Sequence, residues 1–205
     1  MSQDSPGDLF FGAIILIIFL IFVFGLGFLI SKFKNARFAK TWTPLIPIIG
    51  GTVSEDGGGG ASSFLTGNYQ GRTVRATMAP QLNRYSESGS YYNYFDITMA
   101  GVPGKQNWQL KYNTKILGFG SNGWEIVADD AALQQRLQAR GVIELIERLG
   151  ATPIFTQPTL DYKARSGALL FREEVSEWIP APERFKQQLE TLLQLAAINA
   201  EVNPA

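Results

Sequence analysis

Residues Leu9 to Ile30 read LFFGAIILIIFLIFVFGLGFLI, twenty-two positions without one polar side chain. As a helix rising about 1.5 Å per residue the segment spans about 33 Å, which matches a hydrocarbon core of about 30 Å with slight tilt. Eighteen of the twenty-two are Leu, Ile, Phe or Val. Each favours insertion by about 0.3–0.6 kcal/mol, so three glycines leave the balance several kcal/mol on the side of the bilayer. A single transmembrane helix over 9–30 is therefore expected. No G-x-x-x-G pair accompanies Gly12, Gly25 and Gly27, and no ionisable group offers an ion or proton path.

The flanks set the expected topology. A cleaved signal peptide has a basic start and an apolar core of 7–15 residues. The chain instead starts MSQDSPGD, with Asp4 and Asp8 as its only charges before the apolar run. After it come Lys32, Lys34, Arg37 and Lys40 with no acid as far as residue 50. The positive-inside bias puts residues 1–8 outside and the rest of the chain on the cytoplasmic face of an inner or plasma membrane. Those four cations with Trp42 form the expected membrane-interface group, suited to anionic headgroups or to a plain stop-transfer flank.

The remaining residues are of ordinary domain size. From residue 51 onward there are 14 basic and 16 acidic side chains, no electrostatic footprint for nucleic acid. The chain has no cysteine and no histidine. That removes Ser-His and Cys-His nucleophiles, disulfides, ordinary zinc sites and histidine-ligated haem, and no cofactor or metal site is expected.

Residues 31–62 read as a basic juxtamembrane segment and tether, ending in the glycine-rich SEDGGGGASS of residues 54–63. Trp42–Gly51, broken by Pro44 and Pro47, is too short to span a bilayer; it either lies on the membrane surface or packs on the domain. From residue 63 to 205 a soluble α+β domain is expected. Ser63–Leu65 and Arg72–Met78 flank a turn at Gly67–Gly71. Tyr91–Met99 alternates, with Tyr92, Tyr94, Asp96 and Thr98 opposite Phe95, Ile97 and Met99. Trp108–Leu117 and Trp124–Ala128 form a second hairpin. Asp129 caps a helix through Leu133 and Leu137, and Val142–Leu149 follows between Gly141 and Gly150. Ile154–Tyr162 and Ala168–Val175 read as strands. Pro182 opens a C-terminal helix with Phe185, Leu189, Leu192, Leu193, Ala196 and Ala197 in one stripe. The order is β-β-β-β-α-α-β-β-α, an antiparallel sheet with two short helices and a C-terminal helix on one face.

Four patterns invite a functional reading. Gly118-Phe119-Gly120-Ser121-Asn122-Gly123 is a literal G-x-G-x-x-G, but the dinucleotide motif requires a helix next. Here a strand follows, so a hairpin connection is expected. Asp129-Asp130 and Glu173-Glu174, with Glu177, are carboxylate pairs; capping accounts for the first and a solvated strand end for the second. Arg136, Arg140 and Arg148 offer an anion site on one reading and, on the expected one, the solvent faces of the short amphipathic helices. Tyr85, Tyr91, Tyr92 and Tyr94, with Trp108 and Trp124, are the candidate partner contacts, since aromatic side chains offer large contact area at low entropic cost.

The apolar segment followed by Gly67-x-Tyr69-x-Gly71-Arg72-x-Val74, then Asp129-Asp130 before a leucine-containing helix, then Leu189-x-x-Leu192-x-x-Leu195-Ala196, resembles uncharacterised bacterial single-pass membrane-anchored proteins carrying a domain of unknown function. The resemblance implies a bacterial source and supplies no site residues. The leading expectation is a non-enzymatic, membrane-anchored interaction module serving as an accessory or assembly subunit of a membrane complex. A tethered sensor of a small molecule or lipid, and a hydrolase working with carboxylates alone, are the alternatives.

Overall fold

The computed structural model describes residues 17–26, 42–55, 63–82, 91–114, 123–154, 157–175 and 179–205. Two compact units divide the chain, residues 1–40 and Thr41–Ala205. In the first, the described residues form one helix, α1 (17–26), exposed along its whole length. No helix among the described residues is long and apolar enough to cross a membrane; twelve positions of the predicted span lie outside them.

The second unit is α+β. An eight-stranded antiparallel sheet runs in the order β1-β2-β3-β4-β8-β7-β5-β6. Its strands are β1 (Thr52–Glu55), β2 (Ser63–Tyr69), β3 (Arg72–Leu82), β4 (Tyr91–Ala100), β5 (Trp108–Asn113), β6 (Gly123–Ala128), β7 (Leu160–Lys163) and β8 (Ala168–Val175). A short α2 (Ile46–Ile49) precedes β1, α3 (Ala131–Ala139) and α4 (Val142–Leu149) join β6 to β7, and α5 (Pro182–Val202) closes the chain. The helices α3, α4 and α5 pack on one another and on β6 and β8.

The period-two pattern explains the sheet. Phe95, Ile97 and Met99 of β4 join Leu65, Val74, Ala76, Leu110, Leu169 and Phe171 in one core with Leu133, Leu137, Phe185 and Leu192 of the helices. Register pairs Ile97 with Ala76 on one side and Phe171 on the other, so a continuous apolar row crosses three strands. The opposite face of β4 is partly closed as well. Tyr94 and Asp96 are buried there, Asp96 by a bidentate pair with Arg172 at 2.6–2.7 Å. The Asp96 hydrogen bond raises the Arg172 pKa, against the opposing effect of burial.

Several expectations are corrected. The domain begins at Thr41, not at residue 63. Trp42, Leu45 and Ile49 are all at or below 1% exposure, and Thr52–Glu55 is a strand. The strand β2 continues through Gly67, where α2 crosses so closely that a Cβ would lie 2.5 Å from the Ile49 carbonyl oxygen. The turn is Gln70-Gly71, both at positive φ. The strand β3 runs on to Leu82, and six strands precede the short helices. The expected strand from Ile154 shrinks to Leu160–Lys163, because Pro153 and Pro158 cannot donate to a ladder. Asp130, not Asp129, caps α3 through Ala132 N–H. On α5 the buried face includes Gln188, Leu195 and Asn199, while Ala197 is exposed.

Candidate functional site

The expected membrane-interface cations Lys32, Lys34, Arg37 and Lys40 lie outside the described residues. Trp42 does not belong with them. Its ring packs on Phe95 at 6.0 Å, and its Nε1–H donates to Ser63 Oγ at 2.9 Å. An indole with its one donor satisfied and its surface covered is a core residue.

The expected aromatic contacts do not gather into one surface. Tyr85 is outside the described residues; Tyr91 and Tyr92 pair with Leu82 and Gln81 at the start of β4. Tyr94 is 5% exposed, and Arg172 stands 5.6 Å from its ring centroid. Trp108 is 2% exposed and donates to Asn199 Oδ1 at 2.7 Å. These two are corrected from contact surface to interior, since their strand faces point into packing. Trp124 is half-buried in an edge-on contact with Tyr112 at 5.1 Å. Of the glycine motif only Gly123 is described, and the strand β6 starting there pairs with β5.

Two polar clusters hold α5, and sequence reading missed both. Glu173, expected in solvent, is 5% exposed because β8 alternation turns it toward α5. It accepts from both Nε and Nη2 of Arg184, from Gln188 Nε2 at 2.6 Å and from Thr152 N–H at 3.3 Å. Arg184 also donates to the Leu149 and Gly150 carbonyls, closing the C-terminus of α4. An open depression of about 270 Å³ adjoins this hub, lined by Glu173, Glu174, Val175, Ile179, Ala181 and Arg184 among others. At the other end, Asn199 and Asn203 bind the 101–107 loop. Asn199 Nδ2 donates to Pro103 O at 2.5 Å, Asn203 Nδ2 donates to Gln106 O at 2.8 Å, and Asn203 Oδ1 accepts from Lys105 and Gln106 N–H at 3.1 Å. Arg136, Arg140 and Arg148 are exposed as expected; they bond Val202 O, Glu201 and Glu144 O respectively.

Chemically, the buried carboxylates Asp96 and Glu173 are both consumed by arginine. Among the described residues no group of three or more acidic, His or Cys side chains is placed to hold a metal. The exposed large hydrophobics are distributed unevenly. Among the described residues nine belong to α1, from Leu20 at 43% to Phe24 at 73%, and one, Val127 at 37%, to the second unit. A helix apolar on every side needs an apolar environment around it. Comparison of the chain with protein-family models, curated proteins and solved structures finds no match.

Proposed function

We propose that the chain is a membrane-anchored interaction module: residues 9–30 cross the bilayer once, and the Thr41–Ala205 unit binds a protein partner on the cytoplasmic side as an accessory or assembly subunit. The carrying observation is the placement of apolar surface. Among the described residues the second unit leaves one large hydrophobic exposed, Val127, while α1 leaves all of its own uncovered. Lipid is the medium that removes the cost of such a helix, and the flanking sequence supplies the length and the cationic stop. A non-enzymatic role is supported by the lack of Cys and His in the chain and by the pairing of Asp96 and Glu173 with arginines. Tethering raises the domain's effective concentration at membrane-bound partners. Among the described residues, the depression beside Glu173 and the one between α4 and α5 are lined without a tyrosine.

The test starts with alkaline carbonate extraction of native membranes. The full chain should stay in the pellet, and a chain lacking residues 9–30 should appear in the supernatant. Release of the full chain sinks the anchor. A gentle-detergent pull-down should then recover one partner set at near-equal stoichiometry; a protein that elutes alone sinks the interaction role.

A further inference from the structure

The second unit is not uniformly charged. Three connections meet at one end of its sheet: the β2–β3 turn (69–72), the β4–β5 loop (101–107) and the end of β7 with its turn (163–167). Together they carry Arg72, Lys105, Lys163 and Arg165 and no acid. Apart from these four, residues 51–205 hold ten basic against sixteen acidic side chains. Nothing in overall composition announces this rim, because the acidic excess elsewhere hides it.

The rim is a built surface. Arg72 Nη1 donates to Gly101 O at 2.5 Å, Val102 N–H to Gly167 O at 2.8 Å, and Ala164 N–H to Asn107 Oδ1 at 2.9 Å, which joins the three connections. Beneath them Asn199 and Asn203 hold the backbone on both sides of Lys105. Lys105 and Arg165 are exposed, and Lys163 shares its charge with Asp161 at 3.1 Å. At the margin, Asp129 accepts from Asn107, and Asp130 caps α3. Loops fixed by a rigid scaffold are where binding residues concentrate.

We propose that this rim docks an acidic segment of a partner protein, which gives the interaction module its partner chemistry and rests on that reading. Cations spread over three connections suit an extended run of Asp and Glu better than one compact anion, and complementary charge of this kind speeds and orders association. A protein is taken as the occupant because the proposed function calls for a protein partner, and binding to an anionic bilayer is made an outcome of the test.

The experiment uses full-length protein in phosphatidylcholine nanodiscs and a fluorescein-labelled ten-residue oligoglutamate peptide, read by anisotropy. The parent should bind, with affinity falling as salt rises from 50 to 300 mM. The double reversal Lys105→Glu/Arg165→Glu should weaken binding at least tenfold with unchanged thermal unfolding. Lys186→Glu, an exposed reversal on α5, should change it less than twofold. No binding by the parent, equal loss in Lys186→Glu, or displacement of the peptide by phosphatidylserine vesicles would overturn the proposal. In the native-membrane pull-down, a partner kept by the double reversal removes the rim assignment alone. No partner with either protein removes the interaction reading beneath it.

Discussion

At its N-terminal end α5 is fixed by a charged hub, the Glu173 carboxylate with Arg184, Gln188 and Thr152 N–H around it; at its C-terminal end it is fixed by neutral amides, Asn199 and Asn203, with Trp108 and Tyr162. The two ends anchor the same helix to different connections by different physics. The hub takes an ion pair out of water, a cost that attraction offsets only with good geometry, and it leaves Gln188 Oε1 buried without a partner. The amide clasp carries no net charge, and Trp108, Asn199 and Asn203 all find partners within it. The difference predicts that the N-terminal end tolerates loss of one partner poorly and the C-terminal end tolerates loss of fit poorly.

Arg184→Ala should have the largest effect. It strands a buried carboxylate and frees the α4 carbonyls, at a cost of about 3–5 kcal/mol, read as a lowered denaturation midpoint. Replacing both Glu173 and Arg184 by leucine should recover most of that loss. If the double variant is no better than the single, the hub acts through its hydrogen bonds to α4 and not through an isolated charge.

Asn199→Ala comes next. It removes the acceptor of the buried Trp108 Nε1–H, at about 1–3 kcal/mol when unsatisfied, and with it the donor to Pro103 O in a part-buried bond. Unlike Arg184→Ala, its cost should not change between 50 and 500 mM salt. A salt-dependent loss would erase the distinction between the two ends.

The two clusters also mark where sequence reading stops. The strand β4 was legible because Phe95, Ile97 and Met99 alternate with polar residues, and α4 because Gly141 and Gly150 bracket an apolar period. Residues Glu173-Glu174 carry no local mark of which one faces inward. Only the register of β8 against β4, and the arrival of α5 over that face, turn Glu173 toward Arg184. Asn199 is equally silent. It lies three and four residues from Ala196 and Leu195, so helical period places it on the buried stripe, but an apolar template passes over an amide. Trp42 reads as a membrane-interface residue because cations precede it, while the Ser63 hydroxyl that accepts its N–H is twenty-one residues away. Of the candidate contacts, Trp124 alone is described with a side chain that remains half-exposed. The basic rim needed topology, because its three connections are far apart in sequence.

Gly104→Ala tests fit. A Cβ there would meet Tyr162 Oη at 2.6 Å and both Asn199 and Asn203 Nδ2 at 2.7 Å. Side chains committed to hydrogen bonds have little room to retreat, so overpacking should cost about 1–3 kcal/mol. The variant should leave the hub intact, with hydrogen-exchange protection lost in the 101–107 loop and the last turns of α5 but kept around Thr152. Loss spread evenly over α5 would show that the two ends are one cooperative unit.

The smallest effect expected is that of Tyr162→Phe, which also separates the ends by pH. Tyr162 is fully buried, and its hydroxyl lies 3.1 Å from both the Val102 and Gly104 carbonyl oxygens, to either of which it donates. Deleting it at neutral pH should cost about 1 kcal/mol, the net value of one such bond. Burial raises its pKa above 10.0, with the Asn199 hydrogen bond opposing. The unfolded chain therefore releases this proton first. Below pH 10 the contribution is complete; above it the unfolded state binds fewer protons than the native state, and stability falls until the folded phenol itself titrates. The parent should consequently lose stability more steeply than Tyr162→Phe between pH 10 and 11, measured by denaturant unfolding at each pH. Parallel curves would mean that the phenol ionises in place without disturbing the clasp, and the C-terminal end would then owe its hold to the two asparagines.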